Sequence, residues 1–263
     1  MWWLVGGQEF FQLEVFHHTS PAQRPLPADW GPNALGWVRW GFAVDDFDAV
    51  LARLASTGLS LSAVMTVDGL RRICFRDPDF GMFVEVMENG PALGRSNRAD
   101  EHKPGPRVVY VTLSVPDLEV ARAFYTHAVG LNPVAGELHK PPAEALWGLS
   151  GAQRRTLVLD GEGVFLELVQ YTEPIGKRRP GLLLSDQGIM NIAVGWRERD
   201  SLLQALEQAV AGGGTLTAPL GDTAAVATYV IDPQGNSLEM LAMPADPAYE
   251  QAWGWVAKSQ IFR

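Results

Sequence analysis

The sequence predicts an α+β protein built from tandem βαβββ units, and three observations predict it. Four short apolar runs each carry a single glutamate: Glu14, Glu85, Glu167 and Glu239. Glu14 and Glu85 are separated by nearly the same interval as Glu167 and Glu239, which marks a repeat. Between these runs the hydrophobic period switches from that of a strand to that of a helix and back. A carboxylate in an apolar run is costly to bury without a cation, a proton or a ligand. The four glutamates are therefore also the first candidates for function.

In chain order, Met1-Trp-Trp-Leu-Val-Gly6 and the glutamate strand Gln12-Leu-Glu-Val-Phe-His-His-Thr-Ser-Pro21 come first. Their echo is Leu146-Trp-Gly-Leu-Ser-Gly151 and Phe165-Leu-Glu-Leu-Val-Gln-Tyr-Thr-Glu-Pro174. Gly36-Trp-Val-Arg-Trp-Gly-Phe42 is a strand leading into a helix over 46–57. Phe47, Val50, Leu51 and Leu54 lie on one helical face, and Gly58 closes it. Asp77-Pro-Asp-Phe-Gly81 is a turn before the strand of Glu85. Polar, Gly/Pro-bearing residues 91–106 form the linker between an N-terminal domain (1–90) and a C-terminal domain (107–244), and 245–263 is an aromatic tail.

The second half holds a complete unit. Residues 108–115 are a strand and 117–128 a helix capped by Gly130-Leu131. Strands follow near Ala135 and over 155–160, then the glutamate strand over 164–171. The next unit opens with Gly188-Ile-Met-Asn-Ile-Ala-Val194 and a helix over 201–211, bearing Leu202, Leu203, Leu206 and Val210 and closed by Gly212-Gly-Gly214. Asp232-Pro-Gln-Gly-Asn236 then turns into the strand of Glu239. The first half begins after the first strand and helix of its own first unit. An open sheet edge results, which an upstream segment or a neighbouring subunit would cover. The tail, with Tyr249, Trp253 and Trp255, is a candidate cover or homodimer contact.

Composition narrows the classes. A chain of 263 residues with 47% apolar content is long enough for two domains or one large one, each with a sizeable core, and a net charge of -9 argues against nucleic acid and anionic membranes as partners. No run approaches the roughly 20 apolar residues of a membrane span. The N-terminus has no signal-peptide pattern, so the expected location is cytoplasmic. Cys74, the single cysteine, sits in a strand-like run and reads as a buried, inert thiol. Gly148-Leu-Ser-Gly lacks the spacing of a nucleophile elbow, Gly212-Gly-Gly214 follows a helix where a phosphate loop would open one, and Lys177-Arg178-Arg179 reads as a solvated loop.

The set Val111-Thr-Leu-Ser-Val-Pro-Asp-Leu-Glu119, Phe124-Tyr125, Gly130-Leu131, Leu166-Glu-Leu-Val-Gln-Tyr171 and Asp232-Pro-Gln-Gly-Asn-Ser-Leu-Glu239 resembles the vicinal oxygen chelate superfamily of glyoxalases, bleomycin-resistance proteins and extradiol dioxygenases. The resemblance implies paired units curled into two open, barrel-like sheets with the ligand inside. It also implies metal ligands from the first and last strands of the units. Glu167 and Glu239 stand at the last-strand position, and Tyr110 and Asn191 stand where a first-strand histidine or glutamine is usual. In the first half Arg39 takes that place, beside Glu14 and Glu85, and would neutralise one of them.

Two imidazoles for a ferrous dioxygenase site are thus missing. The expectation is no metal, or a weakly held divalent ion such as Mg or Mn on Glu167, Glu239, Tyr110 and Asn191. His18 falls on the face of Glu14 and reads as a rim residue; His102, His127 and His139 fall in the linker, a helix and a loop, where solvated roles are expected. The ligand-facing candidates are Asn191, Tyr171, Trp147 and Trp196, within a set of nine tryptophans suited to an aromatic ligand. Two functions follow. One is an enzyme acting on a small aromatic or carbonyl-containing compound, with Glu167 and Glu239 facing each other, one as a general base with raised pKa, and Tyr110 as donor. The other is a binding protein that sequesters an aromatic compound.

Overall fold

A computed structural model describes residues 2–5, 12–90, 106–161, 164–246 and 248. It begins with a hairpin, β1 (Trp2–Val5) against β2 (Gln12–Val15). A strand–helix–three-strand unit follows: β3 (Gly36–Val44), α1 (Phe47–Ser56), β4 (Met65–Val67), β5 (Leu70–Arg76) and β6 (Phe83–Glu88). The second unit is β7 (Arg107–Ser114), α2 (Leu118–Ala123) extended by a π-helical turn over Phe124–Ala128, β8 (Asn132–Val134), a 3-10 helix over Pro141–Trp147, β9 (Gln153–Asp160) and β10 (Phe165–Glu173). The third is β11 (Asn191–Trp196), α3 (Arg199–Ala211), β12 (Thr215–Leu216), β13 (Val226–Ile231) and β14 (Ser237–Ala242). Among the described residues no helix is long and apolar enough to cross a membrane.

Local chemistry sets these boundaries. The Asp46 carboxylate accepts from Ala49 N at 2.9 Å and starts α1, and Asp117 caps α2 through Glu119 N and Val120 N. The two predicted turns share one design. Asp77 Oδ1 accepts from the amides of Asp79 and Phe80, and Asp232 Oδ1 from those of Gln234 and Asn236. In each unit the first strand lies parallel to the last, β3 with β6, β7 with β10 and β11 with β14, so each needs its helix as a crossover.

The units assemble differently from the division the sequence suggests. β3 pairs antiparallel with β7, which fuses the first two units into one eight-stranded sheet, β4-β5-β6-β3-β7-β10-β9-β8. The third unit is a separate four-stranded sheet, β11-β14-β13-β12. Both sheets are open and curled. One face of the large sheet packs Trp40, Phe42, Val84 and Val86 against α1. Leu113, Leu166 and Leu168 pack with α2, α3, Leu238 and Met240 into a core between the two sheets. By the strand period of two, Arg39, Glu85, Tyr110 and Glu167 are left on the opposite, inner face.

One sequence expectation, the solvated loop at Lys177-Arg178-Arg179, changes here. Arg178 and Arg179 are tethered, Arg178 to the carbonyls of Gln234 and Gly235 and Arg179 to that of Pro25 at 3.0 Å. Residues 91–105 of the linker, with His102, and the tail residues Tyr249, Trp253 and Trp255 lie outside the described residues.

Candidate functional site

The expectation that Glu167 faces Glu239 is corrected by the strand order, which puts them in different sheets. Glu167 instead shares the inner face of the large sheet with Glu85, each on the last strand of its unit. The β3–β7 register sets Arg39 opposite Thr112 and Gly41 opposite Tyr110. Gly41 is needed there: a Cβ at this position would lie 2.3 Å from Cε1 of Tyr110.

Between the two glutamates stands His139, which the sequence places in a solvated loop. It is fully buried. Nδ1 lies 2.7 Å from Glu167 Oε1 and Nε2 lies 2.8 Å from Glu85 Oε2. The other carboxylate contacts are also filled. Tyr110 OH donates to Glu85 Oε2 at 2.5 Å and Arg72 Nη1 to Glu85 Oε1 at 3.3 Å. Thr112 Oγ1 donates to Glu167 Oε2 at 2.7 Å and Arg39 Nη2 to the same oxygen at 3.2 Å.

A further layer supports Arg39. Its Nη1 donates to Tyr171 OH at 2.8 Å, and Tyr171 donates to Glu144 Oε2 at 2.7 Å. Arg154 Nε sits 2.5 Å from Glu144 Oε1 as an ion pair, and that contact is misaligned for a hydrogen bond. The guanidinium of Arg39 lies over Trp147, 4.7 Å from the ring centroid. Tyr171 and Trp147, candidates for ligand contact from the sequence, are thus part of the buried network.

The electrostatics reverse one expectation. Burial pushes the Glu167 carboxyl up, but the His139 and Arg39 charges and the bonds from His139 and Thr112 outweigh it and hold the pKa far below the usual range. Glu85 is lowered in the same way: burial opposes, and His139, Arg72 and Tyr110 prevail. Burial alone would discharge His139, yet Glu167 and Glu85 raise its pKa above the usual value. For Tyr110, burial and then Glu85 push the phenol well up, so it is a fixed donor. Glu167 is therefore a closed-in anion, and a general base with a raised pKa it is not.

The metal site implied by the sequence resemblance does not fit these donors. A ligand atom must offer a free lone pair toward the ion. Here both ring nitrogens of His139 point at carboxylates, and three cationic side chains surround the two glutamates. Among the described residues no group of three or more His, Cys, Asp or Glu is arranged to hold a metal.

Glu239 lies in a contrasting setting. On β14 it is opposite Ala193 of β11 and Tyr229 of β13, and Asn191 shares that face of the four-stranded sheet by strand alternation. Ala193 and Gly195 are exposed, Tyr229 is 39% exposed and Glu239 is half-buried. Burial, then the charge of Glu14, pushes the Glu239 carboxyl up to about 7. Its counterpart is thus Glu14. Trp196 pairs with Ala242 on the other face and packs into the core between the sheets. His17 and His18 lie just past β2, His17 exposed and His18 half-buried, stacked on Phe16; His127 is exposed on its helix.

The sequence missed His139, Glu144, Arg72, Arg154 and Thr112. A cue existed for the first: His139 precedes Lys140-Pro-Pro, a helix start that fixes the backbone direction at that point.

The profile of the Glyoxalase/Bleomycin resistance protein/Dioxygenase superfamily matches residues 107–240, and the chain belongs to that superfamily. Among solved structures it is similar to glyoxalase I from Zea mays, at 19% identity and a TM-score of 0.54, covering 82% of this chain and 71% of that one. It is also similar to a putative dioxygenase from Bacillus subtilis subsp. subtilis str. 168, at 14% identity and a TM-score of 0.53, covering 84% of this chain and 65% of that one. At these identities the likeness shows the fold. No curated protein matches the chain.

Proposed function

We propose that this superfamily member acts on a small carbonyl-containing or aromatic compound at the open face of the four-stranded sheet, with Glu239 as the general base. The supporting observation is Glu239 itself, a half-buried carboxyl that stands beside the exposed Tyr229 and is pushed up to about 7, which suits proton transfer at neutral pH. In this reading Glu239 takes a proton from a hydroxyl-bearing carbon next to the carbonyl and returns it to the former carbonyl carbon, while the hydroxyl proton passes to the former carbonyl oxygen. Nothing is oxidised or reduced, and the outcome is isomerisation. Asn191 on the same face orients the carbonyl. The fully buried Glu167, Glu85 and Tyr110 take no part in the chemistry.

A second reading, sequestration of an aromatic compound, is favoured by the exposure of Tyr229 on the same face, where a flat ring can stack. The experiment is a screen of small hydroxyketones and aromatic ketones with wild type and Glu239→Gln. Turnover that rises with pH through about 7 and is lost in Glu239→Gln supports the enzyme. Tight binding of a compound recovered unchanged supports sequestration, and wild-type turnover in Glu239→Gln removes Glu239 from the mechanism.

A further inference from the structure

The position between Glu85 and Glu167 is filled by the chain itself. Each carboxylate can only accept hydrogen bonds once it is ionised, and each already accepts from a guanidinium and a hydroxyl. Nδ1 of His139 lies 2.7 Å from Glu167 Oε1 and Nε2 lies 2.8 Å from Glu85 Oε2, so with both carboxylates ionised each ring nitrogen must be a donor. A ring that donates from both nitrogens is a cation, and its two partners here are anions.

Its placement is built from the backbone outward. Arg154 Nη2 donates to the carbonyl of His139, Lys140 O accepts from Ala143 N at 2.8 Å, and Pro141 and Pro142 start the 3-10 helix immediately beyond. The rings of Tyr110 and Trp147 meet the imidazole edge-on, with centroids 4.8 and 5.9 Å away. Three cationic groups touch the two glutamates, so an added divalent ion would meet net repulsion and would first have to expel the ring.

We propose that the imidazolium of His139 is the resident cation of the eight-stranded sheet, standing between Glu85 and Glu167 in place of a metal ion. This inference is independent of the role assigned to Glu239. It is tested with the full chain as wild type, His139→Ala and His139→Gln. His139→Ala should denature about 10 °C lower, because two buried carboxylates lose their shared partner. Free imidazole at millimolar concentration should recover several degrees in His139→Ala, while sodium chloride at equal ionic strength does not, and should leave wild type unmoved. His139→Gln, a neutral side chain of similar reach, should lose stability without imidazole rescue.

Three results would overturn the proposal. One is wild type purified with a divalent metal that Glu85→Gln loses. Another is a His139→Ala melting point equal to that of wild type. If neither variant folds, nitrogen NMR of histidine-labelled wild type decides. Protons on both ring nitrogens of His139 at neutral pH support the proposal, and a neutral tautomer overturns it.

Discussion

Arg39→Met separates a structural ion network from an incidental one. The Arg39 side chain is fully buried and donates to Tyr171 OH at 2.8 Å, Glu167 Oε2 at 3.2 Å and Thr112 Oγ1 at 3.3 Å. Methionine keeps much of the volume and removes every donor and the charge. Glu167 would keep His139 and Thr112 but lose its guanidinium, and removing one member of a buried pair costs about 3–5 kcal/mol. At roughly 2–4 °C per kcal/mol for a chain of this size, the midpoint should fall by about 10 °C.

The assay is urea denaturation followed by tryptophan fluorescence, extended to Glu167→Gln and the double variant. The two losses should overlap by about 1–3 kcal/mol, since both break the same contact. A loss below about 1 kcal/mol for Arg39→Met, or additivity within about 0.5 kcal/mol, would refute the reasoning.

The pH dependence of stability has a definite sign. Glu85 and Glu167 lie below their usual value of 4.5, so their contribution is complete above it and lost as pH falls through the folded values. His139 lies above 6.5, so its contribution is complete below that and lost as pH rises through the folded value. Glu239 at about 7 opposes folding as pH climbs from 4.5. The urea midpoint should therefore be higher at about pH 5.5 than at about pH 8, and a rising midpoint would contradict this. Gly41→Ala should cost about 1–3 kcal/mol in the same assay by driving a methyl into the Tyr110 ring, and Gly58→Ala, whose Cβ meets nothing but whose φ is +79°, should be milder; equal losses would point to backbone conformation alone.

Much of the fold was legible because it is local. Helix α1 starts one residue after the predicted Asp46, and the Asp77 and Asp232 turns form where their side chains can accept from the amides that follow. The order of strands within each unit follows from the parallel pairing of its first and last strand. How units join was not legible. The join depends on the β3–β7 edge, and nothing in Gly36-Trp-Val-Arg-Trp-Gly-Phe42 says which of the other first strands it meets. Pairing by half-chain put Glu167 with Glu239; pairing by edge puts it with Glu85.

The site was half legible for a related reason. Arg39, Glu85, Tyr110 and Glu167 lie on strands, and strand alternation gives their face. His139 lies on a connection, and only the tertiary path of that connection brings it between two carboxylates. Its arrival fills the space between them. In the eight-stranded sheet the glutamates have Arg39, Arg72 and His139, their charge is compensated, and little electrostatic free energy remains for a ligand. In the four-stranded sheet the charged neighbour acting on Glu239 is another carboxylate, Glu14, and the acid is pushed up to about 7 instead of down. A ligand that donates a hydrogen bond or a proton to Glu239 relieves that strain, and one placed at Glu167 would have to break an existing pair. The same glutamate position is thus a compensated anion in one sheet and a carboxyl pushed up to about 7 in the other, which is the contrast the proposed role of Glu239 draws on.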